Sequence, residues 1–423
     1  MTDAATPTAQ PQAGLRPLPL QGIRVCDFSW IVAGPQATRI LADLGAEVVK
    51  VENESYLDSM RIGLQSNSER PTYNGSGFHS NLSRNKLGVT ANLHHPKGRE
   101  VVERLIAQSD VVVENYSAGA FGRMGFSWER LQQLNPRIIY VSLSGYGHLG
   151  RDNSYVTWGP TAQAVSGCTQ MSGMPDQPPA GWGFSYLDHT AGFYGAIAIL
   201  MGLHHRRRTG EGQHIDISQI ETGMVLCGIP VLDRQINGRD YVRIGNHSRY
   251  PAIAPHHTYR CRDDELSDRW VAIVAETDAQ WRGLCEELGM AALASDARFA
   301  TNEDRVRNQG ALDAAITERT RDRDAAELMY ALQARGVAAG LCQRTDDKME
   351  RDPQLRERGF YRTAPHAELG EHRFEGIPIA FERARWRMDR GAPLLGEDTF
   401  DVLTRVLDYS VEEVVELQTE AAV

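Results

Sequence analysis

The stretch GIRVCDFSWIVAGPQATRILADLGAEVVKVE, residues 22–52, contains the pattern that decides the fold. GIRVCDF (22–28) is typical of a short buried strand, and EVVKVE (47–52) predicts a second one. Between them AGPQATRILADLG (33–45) predicts a helix, with Pro35 in its first turn, where a missing N–H leaves no hydrogen bond unmade. A strand, a helix and a second strand in close succession indicate a parallel βαβ unit.

The alternation of strands and helices continues along the chain. Apolar residues recur at helical spacing over 96–108, and the strand-like run DVVVENY (110–116) follows. A helix at 128–134 then precedes IIYVSLSG (138–145), and HIDIS (214–218) adds another strand-like run. This order predicts an α/β fold in which a parallel sheet carries helices on both faces, a Rossmann-like core.

Length and a change of pattern predict more than one domain. A chain of 423 residues suggests two or three domains at about 150 residues each. We expect a disordered tail at 1–20, rich in Ala, Pro, Thr and Gln, and a large domain at 21–225. Residues 226–345 are expected to form a smaller α+β domain with its linkers, and the remaining residues, 346–423, to lead out of it and end in helices.

Charge and composition exclude several classes of protein. The formal net charge is -10 with both signs spread along the chain, so the basic footprint of a nucleic-acid-binding protein is absent. Hydrophobic residues make up 41% of the chain, yet no apolar run reaches the roughly 18 residues of a membrane span. Residues 1–20 lack the apolar core of a signal peptide, so we expect a cytoplasmic protein.

Neither the cysteines nor the histidines form a metal-binding pattern. The 6 cysteines lie far apart with no CxxC pair, which is typical of a reducing compartment and gives no sign of structural zinc. The histidine pairs are adjacent in sequence, whereas two ligands on one helix face are separated by about four residues. These pairs are His94/His95, His204/His205 and His256/His257. We therefore predict no metal.

One carboxylate differs from the others in its surroundings. In WGFSYLDHTAGFYGAIAIL (182–200), Asp188 lies among apolar residues just before a predicted buried helix. An aspartate in this position can cap the helix, because its oxygens accept backbone N–H bonds and complement the helix dipole. It can also act as a carboxylate nucleophile, which needs a partly desolvated setting beside an electrophile. Composition and spacing leave both interpretations open.

Seven blocks in order carry a family resemblance, among them SRNKLGVTANLHHPKGRE and RRTGEGQHIDIS. On these blocks the chain resembles the family III CoA-transferases, which include formyl-CoA:oxalate and crotonobetainyl-CoA:carnitine transferases and are related to the α-methylacyl-CoA racemases. The blocks are 22–52, 83–100, 111–147, the segment around Asp188, 207–218, 352–359 and 392–399.

The resemblance implies both architecture and assembly. Both ends of the chain, 21–225 and 346–423, would form the large Rossmann-like domain, with the small domain between them. Two subunits would interlock like chain links in a homodimer, and a paralogous second subunit is the alternative. Neither a nucleic acid nor a membrane is expected as a partner.

The resemblance also implies the chemistry. Asp188 matches the catalytic nucleophile, which would carry CoA as an aspartyl-CoA thioester from an acyl-CoA donor to a carboxylic acid acceptor, with succinyl-CoA as a candidate donor. CoA is the carried group, and no metal is needed. Two alternatives stay open. One is an acyl-CoA racemase or epimerase with Asp188 and His189 as paired bases, and the other is a non-catalytic CoA-binding subunit of a heteromeric transferase.

Several residues match CoA-contact positions of the family. Arg123 matches an arginine near the nucleotide phosphates, for which a guanidinium is well suited. The set is Val32, Ala33, Ala91, Asn92, Leu93, His94, Asn115, Tyr116 and Arg123. The alternatives are a surface role for Arg123 and a core role for Tyr116. Arg84 and Lys86 are either further ligands or solvated charges.

Departures from the family pattern concern the acceptor acid and the racemase alternative. Val32, Asn53 and Val156 stand where the formyl-CoA:oxalate enzyme has a glutamine, an arginine and a lysine. NHSRYPAIAPHHTY (246–259) has no counterpart of that enzyme's glycine-rich loop, so oxalate is a doubtful acceptor. Pro160 stands near the position of the racemase histidine, and proline cannot abstract a proton.

Three aromatic residues alternate just before Asp188. Trp182, Phe184 and Tyr186 either line an apolar pocket for a larger or aromatic acyl group or mark a strand with one face in the core. The alternation itself is compatible with both interpretations.

Overall fold

The structure is a computed structural model that describes residues 16–66 and 69–423. The disordered tail predicted at 1–20 falls mainly on residues 1–15, which lie outside the described residues. Leu20 is described and buried, and its backbone N–H donates to the carbonyl oxygen of Leu44 at 3.0 Å. Leu20 therefore belongs to the hydrophobic core that follows it.

The chain divides into two compact units. The first comprises Met1–Gln170, Gly181–Asp240 and Arg356–Val423, and the second comprises Met171–Ala180 and Tyr241–Leu355. This division differs from the predicted small domain at 226–345, because the helix Gly228–Asn237 belongs to the first unit.

A six-stranded sheet forms the centre of the first unit. Its strands are β1 (Arg24–Asp27), β2 (Glu47–Glu52), β3 (Leu87–Thr90), β4 (Val111–Glu114), β5 (Ile139–Ser144) and β6 (Gln213–Ser218). The order is β3-β2-β1-β4-β5-β6 and every neighbouring pair is parallel, which confirms the predicted parallel sheet. Strand β3 was not predicted from the sequence.

Helices lie between these strands and after the last of them. They are α1 (Ala33–Asp43), α2 (Ser59–Ile62), α3 (Gly77–Leu82), α4 (Pro96–Ala107), α5 (Ala120–Arg123), α6 (Trp128–Leu134), α7 (Gly159–Val165), α8 (Cys168–Met171), α9 (Tyr186–Thr209), α10 (Gln219–Leu226) and α11 (Gly228–Asn237). Helix α1 ends where predicted, because Gly45 adopts the left-handed backbone with a φ of 102°. In the described part of the chain no helix is both long and apolar enough to cross a membrane.

The second unit is a small α+β assembly. Its strands are β7 (Ser248–Arg249), β8 (Ala252–Ile253), β9 (His256–Arg260), β10 (Trp270–Val274) and β11 (Ala338–Leu341), of which the last three form an antiparallel sheet. Its helices are α12 (Asp278–Glu287), α13 (Ala291–Ala294), α14 (Asn302–Arg307), α15 (Gln309–Thr320) and α16 (Ala325–Ala334). A 3-10 turn lies at Ala297–Phe299 and a π turn at Asp347–Arg351.

The C-terminal part of the chain returns to the first unit. The boundary between the units falls within α17 (Pro353–Glu357), and the residues after it form the hairpin β12 (Tyr361–His366) and β13 (Gly370–Glu375), α18 (Thr399–Arg405) and α19 (Val411–Thr419). Val402 and Leu417 pack with Leu105 of α4 in one core cluster of the unit. Leu41 of α1 and Ile199 of α9 pack in another, so apolar side chains cover both faces of the sheet.

The sheet contains a topological switch point. Strands β1 and β4 are neighbours, and the chain proceeds outward from them in opposite directions. In open α/β sheets, ligands bind outside the carboxyl ends of the strands at this point. A ligand site is therefore expected where β1 and β4 end.

Candidate active site

Three strands end in buried carboxylates around the switch point. Asp27 ends β1, Glu52 ends β2 and Glu114 ends β4. A buried carboxylate needs donors or cations around it, because burial without them disfavours the charged form. These residues therefore organise the loops that follow the strands.

The loop after β1, residues 28–33, is held by side chains from other elements. Asn115, just after β4, accepts the Trp30 N–H at 2.7 Å and donates its amide N–H to the Trp30 carbonyl at 2.9 Å. Both oxygens of Asp58 lie 3.2 Å from the Ile31 nitrogen. Ile31 has a φ of 65°, which is strained for a β-branched residue and persists only with such support.

Two buried lysines support this loop. Lys50 donates from Nζ to the Ser29 carbonyl at 2.7 Å, and Lys86 Nζ lies 2.9 Å from Oδ2 of Asp27. Burial lowers the pKa of Lys86 to about 8, although Asp27 opposes the shift. Burial would raise the pKa of Asp27, but Lys86 and Lys50 outweigh it, so that this pKa is lowered.

Arg84 and Lys86 are structural ion-pair residues. Arg84 Nη2 lies 2.6 Å from Oδ2 of Asp43, and both side chains are 0% exposed. Lys86 and its partner Asp27 are equally buried. Both interpretations of Arg84 and Lys86, as ligands or as solvated charges, are therefore wrong. Their partners lie far away in sequence, so local pattern gave no sign of them.

Asp188 lies in the first turn of α9, and Ser185 holds the N-cap position with a φ of 45°. Gln219, the first residue of α10, donates from Nε2 to Oδ1 of Asp188. The carboxylate is also hydrogen-bonded by the Ser185 hydroxyl and the Gly159 backbone N–H. Donors from three segments therefore fix this side chain.

Burial sets the acidity of Asp188. It raises the pKa of Asp188 above the ordinary aspartate value, although the hydrogen bonds from Gln219, Ser185 and Gly159 oppose that shift. A less solvated, more basic carboxylate is a better nucleophile than one in water. Gly159 also leaves room for the carboxylate, because a Cβ there would overlap Oδ2 of Asp188.

A cavity of about 180 Å³, here called the Asp188 cavity, opens beside this carboxylate. Among the described residues that line it, Asp188 alone has a charged side chain. The lining residues are Ile31, Val32, Ala33, Asn115, Tyr116, Ser117, Leu143, Ser144, Gly145, Tyr155, Val156, Thr157, Trp158, Gly159, Asp188 and Gln219. Apolar side chains such as Ile31, Val32 and Leu143 share the wall with hydroxyl and amide side chains, so the cavity offers both apolar contact and hydrogen bonds to a bound acyl group.

A second cavity of about 370 Å³, here called the Arg123 cavity, lies beside the ends of β1, β2 and β4. Arg123 and His94 are exposed at this cavity, and Trp30 stacks on Tyr56 with ring centroids 5.2 Å apart. A guanidinium and stacked aromatic rings suit a ligand that carries phosphates and a base. Its lining residues are Phe28, Trp30, Val51, Glu52, Asn53, Tyr56, Ala91, Leu93, His94, Arg99, Tyr116, Arg123 and Met124.

The two cavities bring together most of the residues selected from the sequence. Val32, Ala33 and Asn115 line the Asp188 cavity together with Asp188. Ala91, Leu93, His94 and Arg123 line the Arg123 cavity, and Tyr116 lines both. Asn92 lines neither cavity, since its backbone N–H donates to the Ala422 carbonyl at 2.9 Å and its amide to the Ala421 carbonyl at 3.3 Å.

The segment before α9 is not a strand. Trp182 and Phe184 lie in an irregular segment, and Tyr186 begins the helix, so the strand interpretation is wrong. Phe184 packs edge-on against Phe78 with centroids 5.3 Å apart. None of the three aromatic residues is in the wall of the Asp188 cavity, so the acyl-pocket interpretation has no support there.

His189 does not share the Asp188 cavity. Burial lowers the pKa of His189, and the nearby Arg39 lowers it further. Adjacent residues on a helix point in different directions. The charged groups that act on the pKa of His189 are accordingly Arg39 and Glu375. The pairing of Asp188 and His189 as two bases of a racemase therefore lacks geometric support.

Sequence reasoning missed four residues of the site. Gln219 directly follows β6, which was predicted as the strand HIDIS. Ligand sites in α/β sheets lie at the carboxyl ends of the strands, and this rule could have indicated Gln219. Arg99 lies in one of the resembling blocks and lines the Arg123 cavity. Asp58 and Gly159 lie in loops or helix ends without a distinguishing pattern, and only the fold brings them to the site.

Comparisons with known proteins show the family to which the chain belongs. The family model "CoA-transferase family III" matches residues 20–399. The succinate–glutarate CoA-transferase of Agrobacterium fabrum is 32% identical over 393 residues, which cover 92% of this chain and 96% of that protein. The succinyl-CoA–D-citramalate CoA-transferase of Chloroflexus aurantiacus is 31% identical over 408 residues, with coverages of 96% and 98%.

A solved structure shares the fold as well. The crystal structure of a CAIB/BAIF family protein from Brucella suis superposes with a TM-score of 0.83 at 31% identity and covers 92% of this chain and 100% of that chain. The family model, the relatives and the solved structure agree on one family. The chain therefore belongs to the family III CoA-transferases and is an enzyme that transfers CoA.

Proposed function

We propose that Asp188 is the nucleophile through which this enzyme moves CoA from an acyl-CoA donor to a carboxylic acid. The observation that carries the proposal is the Asp188 cavity, where one partly buried carboxylate held by Gln219 and Gly159 faces the loop after β1. A carboxylate nucleophile divides a difficult exchange into smaller covalent steps.

The steps balance without an external proton or metal. A carboxylate oxygen of Asp188 attacks the donor thioester carbonyl, and the C–S bond breaks to give an acyl-aspartyl anhydride and CoA thiolate. The thiolate attacks the aspartyl carbonyl, which releases the donor acid and leaves an aspartyl-CoA thioester. The acceptor carboxylate attacks that thioester, and the freed thiolate attacks the acceptor half of the new anhydride. The acceptor leaves as its CoA thioester, and Asp188 is a carboxylate again.

The start of α1 is suited to the oxyanions of these steps. Val32 is the N-cap residue and provides no side-chain cap, so the N–H groups of Ala33 and Gly34 lack helical acceptors. Val32 and Ala33 line the Asp188 cavity. Backbone N–H groups at the positive end of a helix stabilise a developing negative charge. Gly34 also permits the close approach of this turn, because a Cβ there would overlap Ser29.

The acceptor acid is proposed to be a C4 to C5 dicarboxylate, with succinyl-CoA as the donor. Support comes from the relatives, whose names mention succinate, glutarate and D-citramalate. Oxalate is disfavoured as an acceptor, because its second carboxylate lies directly beside the one that reacts and needs a cation nearby. Among the described lining residues Asp188 alone is charged, so the cavity offers no cation.

The experiment mixes the purified chain with succinyl-CoA and glutarate and follows acyl-CoA products by chromatography. We expect glutaryl-CoA and succinate to form in equal amounts, and oxalate to react far more slowly. A parallel incubation of 2-methylacyl-CoA in D₂O without acceptor detects exchange at the α-carbon. Deuterium uptake with no CoA transfer would contradict the proposal and favour the racemase alternative.

We further propose that the enzyme is a homodimer with interlocked chains. Several apolar side chains of α9 to α11 are exposed in the single chain, a pattern typical of a surface covered by another subunit. They include Ile197, Met201, Val225, Ile229 and Ile236. Sedimentation of the purified chain should give the mass of a dimer, and Ile236→Asp should weaken it; a monomer in the wild type would contradict the assignment.

A further inference from the structure

We infer that the second unit contains a binding site for a divalent transition-metal ion, formed by His247, His257 and Asp313. One donor atom of each side chain lies within 4.8 Å of the donor atoms of the other two. His247 precedes β7, His257 lies in β9 and Asp313 lies in α15. The site is therefore assembled by the fold, and the adjacent pairing of His256 with His257 in the sequence conceals it.

The donor set is one that metal ions use. Two imidazoles and one carboxylate bind zinc, cobalt, nickel or iron in many proteins, with solvent in the remaining positions. Metal–donor distances of about 2.1 Å place the donors of a tetrahedral ion about 3.4 Å apart. The present donor spacings bracket this value, since His247 Nε2 and Asp313 Oδ2 are 2.8 Å apart and all the donors lie within 4.8 Å of one another.

Neighbouring groups orient the three side chains. The Tyr259 hydroxyl, which is buried, donates to Oδ1 of Asp313 at 2.7 Å and leaves Oδ2 directed at Nε2 of His247, 2.8 Å away. Nδ1 of His257 lies 2.7 Å from both the carbonyl oxygen and the backbone nitrogen of Thr258, and in the tautomer whose Nδ1–H donates to that carbonyl, Nε2 is available as a ligand. Metal-binding histidines commonly donate their second N–H to a carbonyl in this way, and metal-binding carboxylates are hydrogen-bonded.

The positions of the two histidines on β9 provide a matched control. His257 shares a face of the strand with Tyr259, whereas His256 lies on the opposite face and its Nδ1 is 2.8 Å from the Asn246 carbonyl. Asparagine reproduces the Nδ1–H donor of a histidine but has no atom at Nε2. His257→Asn therefore removes a ligand atom and keeps the local hydrogen bond, and His256→Asn makes the same change outside the site.

The test is a titration of the metal-free full chain with Co²⁺, followed by visible absorption, and then displacement by Zn²⁺. It is made in a Cys342→Ser background, because Cys342 is an exposed thiol that could bind these ions elsewhere. We expect one Co²⁺ per chain in the background protein and in His256→Asn. His257→Asn and Asp313→Asn should each bind at least about tenfold more weakly.

Two results would overturn the inference. One is a background protein that binds no stoichiometric Co²⁺ or Zn²⁺, which would leave His247 and Asp313 as an ion pair of the fold. The other is stoichiometric binding that both substitutions leave unchanged, which would place the ion elsewhere. Since the first result needs no variant, poor folding of a substituted chain does not make the inference untestable.

Discussion

The Asp188 cavity and the Arg123 cavity lie at the same edge of one sheet and share Tyr116, yet they are built differently. The Asp188 cavity holds one charged side chain, which is partly buried and fixed by donors from three segments. The Arg123 cavity is about twice as large and contains exposed Arg123 and His94 beside stacked aromatic rings. Under the proposed function, the first cavity positions a reacting atom and the second binds a ligand through charge and contact area, and these two tasks call for different construction.

This difference predicts how variants divide between the two cavities. Changes that disturb Asp188 or its supports should lower kcat, because they displace the reacting atoms. Changes in the Arg123 cavity should raise KM, because they remove contacts made equally before and during the reaction.

The largest effect is expected for Asp188→Asn. The amide has the same shape but is not a nucleophile, so kcat for CoA transfer should fall at least about 10³-fold, as for other removed nucleophiles. KM for the acyl-CoA should change little. Residual transfer close to the wild-type rate, in protein free of deamidated Asp188, would show that the reaction does not pass through this residue.

Asp188→Asn should also raise the thermal midpoint Tm at neutral pH. Folding raises the pKa of Asp188, so its contribution to stability is present at low pH and is lost as pH rises through the folded pKa. At neutral pH the ionised side chain therefore destabilises the fold, and asparagine removes that cost. An inactive variant with a lower Tm at every pH would indicate damage to the structure.

Gly159→Ala should have the next largest effect. Its Cβ would overlap the Asp188 carboxylate and displace it, and a shift of about 1 Å in a reacting group costs on the order of 10²-fold in kcat. Gly181→Ala is the matched control, because a Cβ at Gly181 meets no atom within 4 Å. Equal activity of both variants would show that the tight contact at Gly159 is not needed for catalysis.

Asn115→Ala tests the support of the loop after β1. Both hydrogen bonds to Trp30 would be lost, the strained turn at Ile31 would relax, and kcat should fall by roughly tenfold through misplacement of the α1 terminus. Asn115→Asp keeps the acceptor for the Trp30 N–H but loses the donor, so it should be intermediate. A variant that changed only KM would mean that Asn115 contacts CoA and does not position the loop.

Arg123→Gln should affect binding alone. Loss of a charge-assisted hydrogen bond of about 1.5 to 3 kcal/mol to a phosphate should raise KM for acyl-CoA roughly tenfold or more with kcat unchanged. The wild-type KM should also rise with salt, and this dependence should weaken in the variant. The exposed Arg151, which pairs with Asp152, provides a control position at which glutamine should change neither constant.

The smallest effect concerns Glu114 beneath Tyr116, the residue common to both cavities. Glu114 Oε2 accepts the Tyr116 N–H at 2.7 Å, and burial raises the pKa of Glu114 to about 7. Its stabilising contribution is complete below the unfolded value near 4.5 and is lost as pH rises to about 7. Glu114→Gln should flatten this fall in the free energy of unfolding, measured by denaturant titration between those pH values. An unchanged slope would assign the pH dependence to other groups.

Much of the fold could be predicted from the sequence because its pattern is local. Residues 22–52 contain a strand, a helix and a strand whose apolar spacing is complete within each element, and the parallel sheet follows from their alternation. Strand β3 was missed although β1 and β4 are equally short, because LGVT contains a glycine and lacks the continuous apolar run that marks VVVE in β4.

The site could be predicted only in part because it is assembled from distant segments. Asp188 was identified from its apolar surroundings and the family resemblance, but its partners Gln219 and Gly159 come from other elements. The buried state of Arg84 and Lys86 depends on Asp43 and Asp27, which no local pattern connects to them. Alternation at Trp182 to Tyr186 suggested a strand, whereas α9 begins at Tyr186.

The central claim, that Asp188 carries CoA as a thioester, is tested most directly by trapping. Enzyme mixed with succinyl-CoA and no acceptor is quenched with borohydride, which reduces an aspartyl thioester to an alcohol, and the peptides are examined by mass spectrometry beside Asp188→Asn. We predict that the wild type alone shows the reduced side chain and that it maps to Asp188. Active enzyme with an unmodified Asp188 peptide, or reduction at another carboxylate, would contradict the account.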